Sequence, residues 1–372
     1  MTGLREAVVD LDAISANVRR IREITEGRRV IAVVKADGYG HGAVPVARAA
    51  LRGGADMLGT ADVDEALALR AGGIEAPILA WLHAPDQDFD AALAAGIALG
   101  VSSGRELERV AEAASRDGRP ARVHVKLDTG LSRNGVPRSD WSDVVARVRT
   151  LVDAGRVTLD GVFTHLSNTS DEDDRIAVRV FDEGLDLVSE SGLGPRMIHA
   201  AATAAAIAVP ESRFDTIRLG IGMYGFSPVP GITGAELGLV PAMRLVSQVA
   251  SVKRPEVGTG VSYGYRYRTS ENSTLALVPI GYADGVPRQA SGLGEVSIGG
   301  RRHRVAGRIA MDQFVVDVGD APVDVGDEVV IFGDPATGAP SAAEWGEHAG
   351  TIDYDIVTRI GPRVPRRYTG AE

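Results

Sequence analysis

The segment Arg29–Gly42 reads RVIAVVKADGYGHG, and it determines what kind of fold to expect. Its residues up to Val34 are almost all apolar, which is typical of a parallel strand that is covered on both faces. The run ends at Lys35, and a glycine-rich turn follows. In α/β folds, ligands and catalytic groups gather at the carboxyl ends of such strands. Lys35 is therefore a candidate functional residue.

The apolar approach to Lys35 predicts a desolvated amine. Desolvation disfavours the charged form, so the pKa of the amine should be lowered and its neutral, nucleophilic fraction raised. An aldehyde cofactor reacts with that form. Gly38, Gly40 and Gly42 would let the backbone approach a ligand closely, and Tyr39 could bring a hydroxyl to a phosphate. From this segment alone, an ion pair between Lys35 and a buried carboxylate is an equal alternative.

Short β-rich runs recur through roughly the first 225 residues, with helical patterns between them. The eight runs are Arg29–Asp37, Asp56–Thr60, Pro77–Trp81, Ile97–Ser103, Arg122–Asp128, Leu159–Leu166, Met197–Ala201 and Thr216–Gly225. Eight strand–helix units define a (β/α)8, or TIM, barrel, which usually has about 250 residues. We predict this α/β fold for residues 1–238. A doubly wound open sheet is the competing arrangement.

Two helical segments of the predicted barrel carry clear signals. Ser103 and Glu106 have the spacing of a capping box at a helix start. The second signal is an apolar stripe at helical spacing, formed by Trp141, Val144, Val145, Val148 and Leu151.

The pattern changes after Phe226. Ser227–Gly238 is rich in proline and glycine and is predicted to be a linker. Beyond it helical patterns nearly vanish, which predicts a second, mainly-β domain over residues 239–372. Its predicted strands are Arg244–Lys253, Thr274–Ile280, Glu295–Ile298, Arg302–Val318 and Glu328–Phe332. An opening strand, Glu6–Leu11, could pack with either domain.

Composition narrows the classes of function. The net charge of −10 disfavours nonspecific binding to nucleic acid, which needs clustered Lys and Arg. The absence of cysteine excludes disulfides, thiolate nucleophiles and cysteine-ligated metals. There is no run of about 18 apolar residues, and the charged stretch Met1–Asp12 does not resemble a secretory signal. We expect a cytoplasmic protein with no nucleic-acid partner, no membrane span and no metal.

A series of motifs extends across almost the whole chain. REAVVDLDAISANVRRI near the start precedes VVKADGYGHG around Lys35. The later blocks are KLDTGLSRNG at Lys126, THLSN at His165, RLGIGMYG at Arg218, GVSYGYRY at Tyr263, PIGYADG at Tyr282, GRIAMDQ at Met311 and TIDYDIVTRIGPRVPR at Tyr354. This ordered set resembles the alanine racemases, the barrel-type family of pyridoxal 5′-phosphate enzymes, and it is far more specific than any single block.

The resemblance implies a racemase that interconverts L-alanine and D-alanine and supplies D-alanine for peptidoglycan. Lys35 would hold the cofactor and act as the base on one face of the substrate. Tyr263, from the other subunit of a homodimer, would act on the opposite face. The reference pKa of tyrosine is about 10, so a phenolate needs support. A chain from Tyr263 through His165 to Arg218, which would also face the pyridine nitrogen, would supply it.

The resemblance also assigns the phosphate of the cofactor to a set of polar groups. These are the side chains of Tyr39, Thr203 and Tyr354 and the backbone N–H groups of Gly220 and Ile221. The chain departs from the usual family pattern at two places. Ala202 and Thr203 stand where Asn-Ser is common, so a hydroxyl is kept but an amide is missing, and Ala310 stands where cysteine is common.

Other residues are implied to bind the substrate. Arg133 would contact its carboxylate or the phenolic oxygen of the cofactor, because a guanidinium fork matches an anion. Lys126 matches a position that is carbamylated in some family members and then orients the arginine. For both residues, an ion pair with Asp128 is the structural alternative. Met311 would offer its backbone N–H across the interface, with a side chain packed in the core as the alternative.

Tyr282 and Tyr354 are implied to narrow the entrance to the site, which would favour alanine over amino acids with larger side chains. A racemase of another amino acid such as serine, or one of broad specificity, is the leading alternative function. Decarboxylases of diaminopimelate, ornithine or arginine generally place an acid at the pyridine nitrogen and use a partner's cysteine, so Arg218 and the absence of cysteine disfavour them. A non-enzymatic pyridoxal-phosphate carrier of the single-domain type would lack residues 239–372.

Overall fold

The computed structural model describes residues 3–371, which fall into two compact units. The first, here called the barrel unit, contains Ile14–Gly38 and Ala43–Leu239. The second, the β unit, contains the residues up to Ala13, the short segment Tyr39–Gly42 and the residues from Val240 onward. The opening strand β1 (Arg5–Asp10) therefore belongs to the β unit.

Eight parallel strands form the sheet of the barrel unit. They are β2 (Arg29–Val33), β3 (Met57–Thr60), β4 (Ile78–Ala80), β5 (Ala98–Val101), β6 (Ala121–Lys126), β7 (Val157–Phe163), β8 (Met197–His199) and β9 (Thr216–Leu219). Strands consecutive in sequence are neighbours from β2 to β8, and β9 pairs with β2. At the closing edge, the N–H of Arg218 donates to the carbonyl of Ala201 at 3.0 Å. A doubly wound sheet would reverse its strand order instead, so the predicted TIM-like barrel is confirmed.

The helices through this part of the chain are α1 (Leu11–Ile24), α2 (Lys35–Tyr39), α3 (Ala43–Arg52), α4 (Val63–Ala71), α5 (Asp90–Ala94), α6 (Gly104–Asp117), α7 (Trp141–Asp153), α8 (Asp171–Glu190) and α9 (Thr203–Ala208). Of these, α2 is a single turn whose inner residues have left-handed backbone angles. The apolar stripe predicted for α7 is buried at all five positions. Across the described residues, no helix combines the length and the apolar character needed to cross a bilayer.

The capping box predicted at the start of α6 is half right. The hydroxyl of Ser103 accepts from the N–H of Glu106 at 3.2 Å. The carboxylate of Glu106, however, accepts from the N–H of Ser102 at 2.6 Å, one residue before the cap. The two predicted residues therefore both form hydrogen bonds at the start of α6, but the carboxylate of Glu106 binds the residue before the cap and not the cap itself.

The β unit contains most of the remaining strands. They are β10 (Met243–Gln248), β11 (Ser251–Lys253), β12 (Gly260–Val261), β13 (Tyr267–Arg268), β14 (Thr274–Val278), β15 (Glu295–Ile298), β16 (Arg301–Arg304), β17 (Phe314–Gly319), β18 (Glu328–Phe332) and β19 (Arg366–Thr369). A six-stranded sheet has the order β16-β15-β18-β10-β1-β19, and a three-stranded sheet has the order β11-β14-β17. The separate C-terminal sheet domain expected from the sequence is confirmed.

Several predicted strands were too long. Arg302–Val318 is two strands, β16 and β17, because the chain leaves the ladder in a loop where Gly307 has a φ of +84°. Thr216–Gly225 ends as a strand at Leu219 and continues as a 3-10 turn over Ile221–Tyr224. Two short helices, α10 (Ala342–Ala349) and α11 (Asp353–Thr358), were missed. An apolar run shows that a segment is buried and does not show where its ladder of hydrogen bonds stops.

Two loops of the β unit meet at Gly281. The N–H of Tyr282 donates to the carbonyl of Ala310 at 3.1 Å, and that of Ala283 donates to the carbonyl of Met311 at 3.0 Å. A Cβ at position 281 would overlap both carbonyl oxygens. Since its φ is −147°, the glycine is required by this close approach and not by its backbone conformation.

We expect Gly281→Ala to destabilise the protein by about 1–3 kcal/mol, the usual cost of overpacking. The measurement is the urea midpoint of unfolding followed by circular dichroism. Gly194→Ala is the matched control, because its Cβ would meet nothing within 4 Å, and its change should stay within about 0.5 kcal/mol. An equal midpoint for the two variants would contradict the close approach at Gly281.

Candidate active site

The guanidinium of Arg218 is buried at the carboxyl end of the barrel sheet and carries no carboxylate partner among the described residues. Nη2 donates to the carbonyls of Thr164 at 2.8 Å and Ala200 at 2.7 Å, and to Nδ1 of His165 at 3.1 Å. Nη1 donates to Nδ1 of His199 at 2.8 Å and to its carbonyl at 3.0 Å. Within residues 3–371 nothing accepts from Nε, so one donor remains for a ligand.

The charge of Arg218 sets the state of the neighbouring histidines. Burial lowers the pKa of Arg218 to about 9, so it remains a cation at neutral pH. Burial, followed by the nearby positive charge of Arg218, lowers the pKa of His165 to about 2 and that of His199 well below its usual value. Both rings are therefore neutral. Because Arg218 donates to Nδ1 of each, both carry their proton on Nε2.

Lys35 lies two residues beyond the end of β2 and is partly buried. Burial lowers the pKa of its amine, the positive charges of Arg133 and Arg218 lower it further, and Glu65 opposes the shift. The lowered pKa increases the fraction of the Lys35 amine that is neutral and can react as a nucleophile. No ion pair joins Lys35 to a carboxylate within the described residues, so the structural alternative considered for it is absent there.

Lys126 ends β6, and Arg133 lies on the loop that follows. Burial, with Arg218 and Arg133 nearby, lowers the pKa of Lys126 to about 8. Asp128 instead turns the loop: one carboxylate oxygen accepts from the N–H groups of Gly130 at 3.1 Å and Ser132 at 3.0 Å. In the part of the chain that the structure describes, Asp128 forms no ion pair with Lys126 or Arg133, and the guanidinium of Arg133 is exposed.

Backbone donors converge at the end of β9. The hydroxyl of Thr203 accepts from the N–H of Gly220 at 3.1 Å and from that of Gly222 at 3.5 Å. Ile221 begins the 3-10 turn, so its N–H precedes the internal bonds of that turn. Ala202, at the cap of α9, forms no side-chain capping bond. A hydroxyl and adjacent backbone N–H groups at such a turn suit a phosphate.

The other predicted residues lie in the β unit. The rings of Tyr39 and Tyr354 are 6.3 Å apart, centroid to centroid. Burial raises the pKa of Tyr39 to about 12 and raises that of Tyr354 as well, so both hydroxyls stay protonated and can donate. Tyr263, Tyr282 and Met311 are 70%, 41% and 53% exposed, so the alternative of a core side chain at Met311 is wrong.

Tyr263 lies on a turn with unusual backbone geometry. Ser262 and Tyr265 have φ values of 58° and 44°, and Gly264 has 73°. A pocket of about 460 Å³ adjoins the turn and is lined by Ser262, Tyr263, Gly264, Tyr265, Leu277, Ala310, Gln313, Phe314 and Val315. The predicted site residues are therefore divided, with the cationic group in the barrel unit and the exposed aromatic group in the β unit.

Sequence reasoning missed three residues around these groups. His199 accepts from Arg218 and is 2.9 Å, Nε2 to Nδ1, from His124. Glu65 accepts from the N–H of Ala36, next to Lys35, at 2.6 Å. His199 lies on a predicted strand, and Glu65 follows Asp62 by three residues, the spacing of a helix start. Neither the strand pattern nor the helix-start spacing shows that these residues contact Arg218 and Ala36.

Comparisons with known proteins agree along the full length of the chain. Residues 9–228 match the family model described as alanine racemase, N-terminal domain, and residues 242–368 match the corresponding C-terminal domain. An alanine racemase of Thermobifida fusca (strain YX) is 49% identical over 375 residues, covering 100% of each chain. A crystal structure of alanine racemase from D-cycloserine-producing Streptomyces lavendulae has a TM-score of 0.97 at 45% identity, covering 100% of this chain and 98% of that one. The alanine racemase of Streptomyces coelicolor A3(2) has a TM-score of 0.96 at 44% identity, with 99% and 98% covered.

Arg133→Gln should raise the pKa of the Lys35 amine, because a positive charge that disfavours its protonation is removed. A smaller fraction of the amine is then neutral at pH 7, and acylation of Lys35 by an amine-reactive ester should slow severalfold. The measurement is the rate of labelling at Lys35, by peptide mass spectrometry, across a range of pH. The control is Arg138→Gln, which removes an exposed arginine later in the same connection that pairs with Glu183. If labelling of Lys35 in Arg133→Gln were as fast as in wild type or faster, the predicted effect of Arg133 on the pKa of Lys35 would be wrong.

Proposed function

The chain belongs to the alanine racemase family, and from that premise we propose that two bases, Lys35 and Tyr263 of the partner subunit, carry its proton transfers. The chain is a pyridoxal 5′-phosphate-dependent racemase that interconverts L-alanine and D-alanine. When bound, the cofactor supplies the electron sink that makes the Cα proton of the substrate removable. The observation that carries the residue assignment is the buried Arg218, with one donor uncommitted and neutral histidines on either side.

The residues present fit this cofactor. An amine with a lowered pKa lies at Lys35, and the free Nε donor of Arg218 suits a pyridine nitrogen. Because arginine keeps its proton, it can only donate there, and the ring nitrogen would remain unprotonated. The hydroxyl of Thr203 and the N–H of Ile221 would donate to the phosphate at the end of β9. The N–H of Gly220, which donates to the Thr203 hydroxyl in this structure, would be shared with it. The hydroxyls of Tyr39 and Tyr354 would complete that set as donors, without an amide at Ala202.

Lys35 would remove or return the Cα proton on one face of the substrate. On the other face, the phenol of the partner's Tyr263 would do the same, because a two-base scheme places one base on each side of the carbon. The Nε2–H of His165 would donate to that phenolic oxygen. His165 itself is neutral, so the charge that stabilises the phenolate comes from Arg218 behind it, at 3.1 Å from Nδ1.

The substrate carboxylate would be bound by Arg133 and by the backbone N–H of the partner's Met311. Within the described residues no carbonyl accepts from the N–H of Met311, while its own carbonyl is committed to Ala283. The amine of Lys126, with its pKa near 8, has a substantial neutral fraction and could react with carbon dioxide. The resulting carbamate would carry the negative charge needed to orient Arg133.

A homodimer with shared sites follows from this assignment. Tyr263, Tyr282 and Met311 are exposed in their own chain, which supports a role for them in a neighbouring copy. The proposed setting is the cytoplasm, with D-alanine supplied to peptidoglycan. Tyr282 and Tyr354 would narrow the entrance, and each added methylene on a substrate would cost about 1–3 kcal/mol in such a pocket.

Incubation of the purified enzyme and added cofactor with a panel of L-amino acids, followed by chiral chromatography, tests the substrate assignment. D-alanine should form faster than any other D-amino acid, because the proposed pocket is tight. Equal or faster conversion of serine would support the broad-specificity alternative. Carbon dioxide release from diaminopimelate, ornithine or arginine would support a decarboxylase.

Mixed subunits test the shared site. Lys35→Ala and Tyr263→Phe should each lose most activity as separate preparations. Dissociated together and reassembled at equal amounts, half of the dimers are mixed, and each mixed dimer has one site with both bases intact. About a quarter of wild-type activity should therefore return. A mixture as inactive as its components, with mixed dimers shown by native mass spectrometry, would contradict bases from different subunits.

A further inference from the structure

The backbone immediately after Lys35 has an unusual conformation. Ala36, Asp37, Gly38 and Tyr39 have φ values of 53°, 52°, 61° and 53°, all in the left-handed region. L-residues adopt this region singly and seldom in succession, because Cβ crowds the following carbonyl oxygen. Such a run persists only when surrounding contacts determine it. Contacts with neighbouring segments must therefore hold the turn that follows Lys35.

The carboxylate of Glu65 connects this turn to the end of β3. Oε1 accepts from the N–H of Ala36 at 2.6 Å, and Oε2 accepts from the N–H of Ala61 at 2.8 Å. Hydrogen bonds to an ionised acceptor are among the stronger ones in proteins. Within the turn, the N–H of Gly38 also donates to the carbonyl of Val34 at 2.9 Å. Glu65 thus fixes the peptide that adjoins Lys35 against a second strand of the barrel.

At the position that Glu65 occupies in α4, a glutamate normally forms hydrogen bonds only within the start of its own helix. It follows Asp62, the cap of α4, by three residues, and its N–H donates to that cap at 2.9 Å. In a capping box the carboxylate returns to the N–H of the cap residue. Glu344 does this in α10, accepting from the N–H of Ser341 at 2.6 Å. Glu65 instead divides its two oxygens between Ala61 and Ala36.

We propose that Glu65 is a positioning residue for Lys35, which by holding Ala36 in its left-handed conformation fixes the direction in which the lysine side chain leaves β2. This rests on the proposed function, in which Lys35 is the cofactor lysine. Glu65 does not touch the reacting atoms. It acts through the peptide bond between Lys35 and Ala36, whose orientation sets the path of the amine.

A positional role and a purely electrostatic role predict opposite results. The negative charge of Glu65 raises the pKa of the Lys35 amine, against the lowering by burial. Removing only that charge would enlarge the neutral fraction of the amine and speed its reaction with an aldehyde. Removing a positional constraint would slow the same reaction, because the amine would be held less often in the reactive geometry.

The test uses the full-length enzyme, stripped of pyridoxal 5′-phosphate and then supplied with it again. The rate of covalent attachment at Lys35 is followed by borohydride quenching and peptide mass mapping, and hydrogen exchange of segment 34–39 is measured in parallel. The variants are Glu65→Ala and Glu65→Gln, with Glu344→Gln as the control. The control removes a carboxylate of similar helix-start geometry from the β unit, where no role in the site is assigned to it.

Attachment should be about tenfold slower in Glu65→Ala, since a charge-assisted hydrogen bond is lost, and exchange of segment 34–39 should be faster. Glu65→Gln should fall between this variant and wild type, because an amide oxygen can serve one N–H donor while its NH2 group faces the other. Glu344→Gln should match wild type in both measurements. If Glu65→Ala does not fold, Glu65→Gln alone decides the outcome.

Wild-type rates and exchange in both Glu65 variants would overturn the proposal, and so would faster attachment in Glu65→Gln. Failure of the proposed function gives a different result: wild-type enzyme would then carry the label on a lysine other than Lys35. The exchange measurement does not use the cofactor, so it would still show whether Glu65 holds the turn.

Discussion

A cation buried without a carboxylate is the interaction on which the rest of the site depends. Arg218 has its charge spread over three carbonyl oxygens and two histidine nitrogens. A buried charge without a full counter-charge is costly, and the groups within residues 3–371 that reduce this cost are dipoles. Those dipoles come from the ends of β7 and β8 and the residues after them, so the barrel must close for the guanidinium to be accommodated at all.

Burial and then the charge of Arg218 keep His165 and His199 neutral, and the hydrogen bonds from Arg218 fix their tautomers. The same charge adds to the lowering of the pKa at Lys35 and Lys126 that burial begins. In the proposed assignment, a phosphate dianion at the end of β9 and the carboxylate of the substrate near Arg133 would bring negative charge to these cationic side chains.

Local patterns in the sequence predicted the secondary-structure elements better than the contacts between them. The apolar run into Lys35 and the stripe of α7 are properties of neighbouring residues, and both were found. The break in Arg302–Val318 depends on where a ladder loses its partner strand, which no run of residues records. Glu65 and His199 were missed for the same reason: their partners, Ala36 and Arg218, are 29 and 19 residues away. Only the folded barrel brings each pair together.

The turn that carries Tyr263 combines strained backbone with an exposed side chain. Two non-glycine residues beside it, Ser262 and Tyr265, have left-handed backbone, which costs of order 1–3 kcal/mol each. The aromatic ring is 70% exposed, so little burial within the chain offsets that cost. Strained backbone of this kind clusters at functional sites, which supports the proposed role of Tyr263 in a neighbouring copy. Racemisation removes the Cα proton from one face of the carbon and returns a proton to the other. In the proposed two-base assignment, a phenol from another subunit would approach the face opposite Lys35.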